Sequence, residues 1–166
     1  ASSTLNMIAG EDLAGGRLIV SPTGPVSRDY DDARRYAEAA SRGAKRARDA
    51  GAKSLLLLLQ PPPKSKHATY AHATAIAALG ACGGLWQPLE AREDLGAKNV
   101  EPVQKIGVCA LDGAFSNSAA KWVSAVEEGM RLARDLAGTN PERMAPLKFA
   151  SYVQAACRGT KVKVTV

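Results

Sequence analysis

The chain has 166 residues and a mass of 17.3 kDa, the size of one ordinary domain. Its 46% hydrophobic and 23% charged residues are typical of a globular protein and exclude a disordered chain. The length also excludes a complete (β/α)₈ barrel, which needs about 250 residues. The net charge of +6 would suit an anionic partner, but basic and acidic residues are interleaved, which favours a solvated surface.

The first half of the chain predicts two strands and two helices. Residues 1–16 give only a weak signal, either a short helix or a frayed end. A short strand follows at residues 17–20, and alanines spaced three and four residues apart then predict a closely packed helix that ends at Gly51. Five leucines at residues 55–59 predict a strand covered on both faces. A proline-rich loop follows at 61–66, and a second helix is predicted over 68–82.

The second half predicts strands at residues 85–89, 105–111 and 161–166. The first is placed at a sheet edge because Pro88 lies within it, and residues 91–102 read as a polar loop. Ser116 to Ser118 could cap a helix over 119–137, and Pro146 suits the first turn of a last helix over 147–157. The expected core face of the helix over 119–137 consists of Val123, Val126, Met130, Ala133 and Ala137.

The alternation of strands and helices predicts an α/β fold, a three-layer α/β/α arrangement with a mixed, mostly parallel sheet flanked by helices. No apolar run is long enough to span a membrane. Three widely spaced cysteines, an odd number, do not form a disulfide framework, and we expect each to be a buried thiol. Together these features favour a reducing compartment and a cytoplasmic location.

The residues that could carry chemistry have simpler interpretations. His67 and His72 are five residues apart, which does not suit a metal pair on a helix, so we expect surface positions or the start of a helix. Aspartates 29, 31 and 32 are interpreted as acids at a helix start. Glu90, Glu93 and Asp94 around Arg92 are interpreted as a solvated charged turn. The sequence therefore predicts no catalytic, metal-binding or substrate-binding residue and no cofactor in this chain.

Several segments resemble the leucine (cytosol) aminopeptidase family. A helix that ends in Ala133-Arg134-Asp135-Leu136 continues into Thr139-Asn140-Pro141-Glu142-Arg143-Met144-Ala145-Pro146, a helix and Lys161-Val162-Lys163-Val164. This is similar to the segment that joins the two domains of that family. Residues 21–25 with 28–32, and residues 87–93, are similar to the N-terminal domain of its invertebrate members. The family usually has Asn at the position of Glu142 and Thr at that of Ala145.

The resemblance implies an N-terminal fragment of a two-domain enzyme. Residues 1–138 would be a non-catalytic α/β domain resembling the macro domain, and 139–166 a linker helix and strand leading to an absent catalytic domain. That domain would hold two divalent metal ions, zinc or manganese, and remove N-terminal amino acids from peptides. The resemblance implies homo-hexamers, so the expected partners are the catalytic domain and other subunits. This domain would aid oligomer assembly and shape access to the active site.

Two alternatives remain open from the sequence. The macro-like fold would suit a module that binds ADP-ribose or a related nucleotide, although fold analogy alone is a weak argument. The net charge of +6 would suit nucleic-acid binding, but no basic and aromatic platform for single strands is seen. Neither a membrane nor a nucleic acid is the expected partner.

Overall fold

The computed structural model describes residues 5–8, 13–60, 70–111 and 115–166. Ten helices and strands and one 3₁₀ turn (Ala14–Gly16) are described within these ranges. In chain order they are β1 (Leu5–Ile8), β2 (Arg17–Val20), α1 (Arg34–Asp49), β3 (Ser54–Leu59), α2 (Ala73–Leu85), α3 (Leu89–Asp94), α4 (Ala97–Val100), β4 (Lys105–Ala110), α5 (Asn117–Gly138) and α6 (Pro146–Cys157).

A short parallel sheet and a separate hairpin provide the strands. Strands β3 and β4 pair in parallel, with a register that runs from Ser54 opposite Lys105 to Leu59 opposite Ala110. Strands β1 and β2 pair antiparallel, with Leu5 opposite Val20. The structure thus confirms an α/β fold with a small parallel sheet flanked by helices, whereas the strand at residues 5–8 was not predicted.

Helices α1 and α2 pack closely and form most of the core with one face of the sheet. Their contact is built from alanines on both helices, since α1 buries Ala40 and Ala44 and α2 buries Ala77 and Ala81. At Gly80 the backbones meet, because a Cβ atom there would lie 2.5 Å from the Cα atom of Ala37. The close packing predicted from the small-residue face of α1 is confirmed.

Two tyrosines fill the end of this core where α1 begins. The rings of Tyr36 and Tyr70 have their centroids 5.8 Å apart and are tilted by 57°. Tyr70 is only 1% exposed, and its hydroxyl donates a hydrogen bond of 3.2 Å to the carbonyl oxygen of Val26. A buried tyrosine needs such a partner for its hydroxyl, so this bond fixes the loop before α1 against the start of α2.

The segment between α2 and β4 is helical and not extended as predicted. The predictions of an edge strand at residues 85–89 and of a loop at 91–102 are both wrong, because α2 continues to Leu85 and is followed by α3 and α4. Pro88 lies just before α3, where its missing N–H costs no helical hydrogen bond. Gly84, which with Gly83 was expected to end the second helix, lies inside α2 and allows close contact with α1: a Cβ atom there would lie 3.0 Å from the Cα atom of Ser41.

The remaining differences lie at exposed parts of the chain. The outer face of β3 is not covered within the described residues, since Leu56 and Leu58 are 72% and 55% exposed. Cys109 on β4 is exposed, so the expectation that every cysteine is buried is wrong. Residues 161–166 follow α6 without forming the predicted strand, because no described strand pairs with them. The predicted loop at 61–66 and the start of the predicted helix at 68–69 lie outside the described residues.

Candidate functional site

The aspartates before α1 bind arginines of the same chain. The carboxylate of Asp31 is fully buried and accepts hydrogen bonds from the side chain and backbone N–H of Arg28 at 2.9–3.0 Å. A terminal guanidinium nitrogen of Arg35 lies 3.1 Å from Oδ1 of the same carboxylate. The hydrogen bonds from Arg28 lower the pKa of Asp31 to about 2. Asp31 and Asp32 thus lie just before α1, whose first turn contains no acid, and Oδ1 of Asp32 accepts from the backbone N–H of Arg34 at 2.8 Å.

Of the other residues that were considered for chemistry in the sequence, some are exposed and others are buried. His72 is exposed and lies immediately before α2, as predicted, whereas His67 lies outside the described residues. Asp29 and Asp94 are exposed. The solvated turn predicted around Arg92 is wrong for Arg92 itself, because its side chain is only 12% exposed and pairs with Asp135.

Asp135 of α5 is the centre of a buried polar cluster. Its Oδ1 accepts hydrogen bonds from the indole Nε1 of Trp86, at 2.8 Å, and from the guanidinium of Arg92, and its Oδ2 accepts from the hydroxyl of Tyr152 at 3.3 Å. Burial by itself would raise the pKa of this carboxyl, but the bonds from Arg92 and Trp86 outweigh it and lower the pKa. One carboxylate therefore joins the end of α2 to α3, α5 and α6.

Further charged pairs extend this cluster along α5. Arg131 donates to Glu101, whose other carboxylate oxygen accepts the backbone N–H of Gln87 at 3.0 Å. Arg134 pairs with Glu127, and its guanidinium also lies 5.9 Å from the ring centre of Trp86. Burial raises the pKa of Glu127 because Arg134 offsets the lost hydration only in part.

Helix α5 therefore turns a charged face towards the protein, contrary to the prediction from its apolar pattern. Of the expected core face, Val123 is buried and Val126 is half-buried, but Met130 is 42% exposed and Ala133 and Ala137 are also exposed. The inward positions instead include Glu127, Arg131 and Asp135, which recur every four residues. The inversion is stable because these inward charges have partners on neighbouring elements or on α5 itself.

Two clefts adjoin the cluster. One, of about 340 Å³, lies between α5 and the segment before β4, and its walls include Trp86, Glu101, Ile106 and Glu127. The other, of about 290 Å³, lies between α3 and α6 and is lined by Leu89, Glu93, Tyr152 and others. Both are at or below the lower end of the range for small-molecule sites. Among their charged groups, Glu101 pairs with Arg131 in the first cleft and Glu93 pairs with Arg143 in the second.

Polar contacts also hold the segment after α5. The carboxylate of Glu90 accepts the backbone N–H of Asn140 at 2.9 Å, and this bond lowers the pKa of Glu90. Arg143 pairs with Glu93 at the surface. The hydroxyl of Thr139 donates to the carbonyl oxygen of Asp135 at 2.5 Å. The acids at residues 90 and 93 thus position residues 139–143 against α3.

The donor set does not fit a two-metal centre in this part of the protein. Among the described residues, no group of three or more His, Cys, Asp or Glu side chains is placed to hold a metal ion. The buried carboxylates of Asp31 and Asp135 are instead bound by arginines, which would compete with a cation. No step of a metal-dependent reaction can therefore be assigned to these residues. None of the described helices is long and apolar enough to cross a membrane.

Sequence reasoning missed the Asp135 cluster because its members are far apart in the chain. Asp135 lies 49 residues from Trp86 and 43 from Arg92. One signal was available, since Glu127, Arg131 and Asp135 repeat at the spacing of one helix face. In a helix that also has an apolar stripe, that repeat is usually assigned to the solvent side, which is the opposite of what the structure shows.

A search of curated proteins finds one relative of clear similarity. The chain is 37% identical over 166 residues to a Caenorhabditis elegans protein named "Putative aminopeptidase W07G4.4". The match covers 99% of this chain but only 30% of the relative, so the chain spans about a third of the length of the curated relative it matches. No family model matches the chain. No solved structure matches it either.

Proposed function

We propose that this chain is the non-catalytic N-terminal domain of a leucine aminopeptidase-like metallopeptidase, whose full-length form removes N-terminal amino acids from peptides. One observation carries the proposal: nearly the whole chain matches a relative named as an aminopeptidase, yet it spans only 30% of that relative. The two metal ions, zinc or manganese, would belong to the catalytic domain. This domain would contribute to oligomer assembly and to access to the active site, in the cytoplasm.

The arrangement of charges supports a structural role for the described residues. The buried carboxylates are already bound by arginines, so they serve packing and not acid–base or metal chemistry. Glu127, which lines the 340 Å³ cleft and whose pKa is raised by burial, is also paired with an arginine, Arg134. A domain built in this way would supply surface to a larger enzyme, which is the role that the proposal assigns to it.

The proposal is tested by comparing two proteins. The 166-residue chain and the full-length product of its gene are each assayed with leucine p-nitroanilide in the presence of Zn²⁺ or Mn²⁺. We expect hydrolysis by the full-length protein only, and its loss when a chelator is added. Chelator-sensitive hydrolysis by the pure 166-residue chain would contradict the non-catalytic role. A full-length protein that does not hydrolyse the substrate with either metal would contradict the aminopeptidase assignment.

A further inference from the structure

Helix α5 carries an apolar stripe on its outer side. Positions on a helix are separated by 100°, so Trp122, Ala125, Gly129, Met130, Ala133 and Ala137 fall within a sector of about 140°. All six are exposed, and Trp122 and Met130 are 57% and 42% exposed, whereas Val126 and Leu136, which fall in the same sector, are half-buried. No charged residue falls inside this sector. We call these six residues the outer stripe of α5.

The inner side of the same helix explains why the outer stripe is not a misplaced core face. The inner charges of α5 are bound by partners that cannot follow if the helix rotates: Asp135 by Trp86 and Arg92, and Arg131 by Glu101. Rotating α5 to bury Trp122 would break these contacts and leave buried charges without partners, which is costly. The orientation is therefore fixed, and the outer stripe stays exposed in this chain.

The space over the stripe is open at its centre. A Cβ atom added at Gly129 would meet no atom within 4 Å. Glycine in a helix interior costs about 1 kcal/mol relative to alanine, and nothing within the described residues requires it here. A small residue on a helix surface permits close approach of a partner, with Trp122 and Met130 available as large apolar contacts on either side.

We infer that the outer stripe of α5 packs against a second domain of the same polypeptide. This inference rests on the proposed function, in which the longer protein includes a catalytic domain. It is supported by the worm relative, most of whose length lies outside the match. A second copy of this chain fits less well. The stripe spans residues 122–137, about 24 Å along the helix, and is about 10 Å wide, so two such surfaces offer roughly 480 Å² in total. That is less than the ~1,000 Å² expected of a specific interface between separate molecules, whereas a domain of the same polypeptide is held nearby by the chain itself.

The test uses a thiol placed on the stripe. Trp122→Cys is introduced into the 166-residue chain and into the full-length protein, and maleimide labelling at residue 122 is followed by mass spectrometry. We expect labelling at least tenfold slower in the full-length protein. Cys109, which is exposed on the sheet, provides an internal reference in both proteins. Equal labelling rates at residue 122 would overturn the inference.

Gly129 provides a second, independent measurement. Gly129→Glu has open space in the isolated chain and should leave its melting temperature unchanged or raised, but should lower that of the full-length protein by several degrees. Ala97→Glu, at an exposed position of α4, is the matched control and should lower the melting temperature of neither protein.

Light scattering of the 166-residue chain should show a monomer. A dimer that is abolished by Gly129→Glu would overturn the inference in favour of a second copy. Hydrolysis measured on the same full-length sample separates the two proposals: activity without protection at residue 122 refutes only the interface, and protection without activity refutes only the aminopeptidase assignment.

Discussion

At the scale of single residues, arginine pairing decides the state of the buried carboxylates. Asp31 and Asp135 are almost inaccessible, yet the pKa of each is lowered because guanidinium groups stabilise the charged form more than burial destabilises it. The aspartates before α1 could be interpreted correctly from the sequence because their arginine partners lie within four residues. The role of Asp135 could not be interpreted from the sequence, because its partners come from three other segments.

The lowered pKa of Asp31 predicts how stability depends on pH. A carboxyl whose pKa is lower in the folded state contributes stability that is fully present above its unfolded pKa of about 3.9. That contribution is lost as the pH falls towards 2, where Asp31 becomes protonated in the folded protein. We therefore expect the free energy of unfolding of the chain, measured with urea, to decrease between pH 4 and pH 2.

The variant Asp31→Asn tests the assignment of this effect to Asp31. It should be less stable than the original chain at pH 6, and the difference should shrink as the pH approaches 2. Glu142→Gln, at an exposed position, is the control and should follow the original chain throughout. A stability difference that stays constant between pH 6 and pH 2 would show that Asp31 acts by packing and not by its charge.

At the scale of elements, the contact between α1 and α2 depends on two glycines that lie inside α2. Gly80 and Gly84 lie against the backbone of α1, so small size is what these positions require. Gly80→Ala would place its methyl group 2.5 Å from the Cα atom of Ala37, which neither helix can accommodate without moving. We expect a loss of about 1–3 kcal/mol or more of unfolding free energy, as in other overpacked cores.

The matched control for this substitution is Gly129→Ala. Both glycines lie inside helices, so alanine gains the same helical propensity at each, about 1 kcal/mol. Gly129 has open space around it, so Gly129→Ala should stabilise the chain while Gly80→Ala destabilises it. Thermal unfolding of the two variants should therefore shift in opposite directions. A stabilised Gly80→Ala variant would contradict the close contact between α1 and α2.

Periodicity predicted most elements and the buried face of α1, but not the buried side of α5. The strands at residues 17–20, 54–59 and 105–110 and the long helices could be located, because local propensity and turn residues define them. The side of α5 that faces inward could not, since ion pairs with distant residues outweigh its apolar stripe. The short helices between Leu89 and Val100 were also missed, because their polar composition resembles that of a loop and their burial depends on tertiary contacts.

At the scale of the whole molecule, α6 is attached by polar contacts and not by a shared core. None of its residues is buried, and Leu147 is 80% exposed. Its attachment consists largely of the hydrogen bond from Tyr152 to Asp135 and of the contacts of residues 139–143 with α3. The domain boundary after residue 138 stays a prediction, and it requires that the chain can fold without α6.

Removal of residues 146–166 tests this division of the chain. The shortened chain keeps Thr139 and the contacts of Asn140 and Arg143, but it loses the hydrogen bond to the charged Asp135 carboxylate, which is worth about 1.5–3 kcal/mol. We expect it to fold cooperatively, with a free energy of unfolding, measured with urea, that is lowered by an amount of that size. Tyr152→Phe in the complete chain should reproduce most of the loss, because it removes the same bond and keeps the ring. A shortened chain that does not fold, beside a stable Tyr152→Phe variant, would show that α6 is part of the domain and that the boundary after residue 138 is wrong.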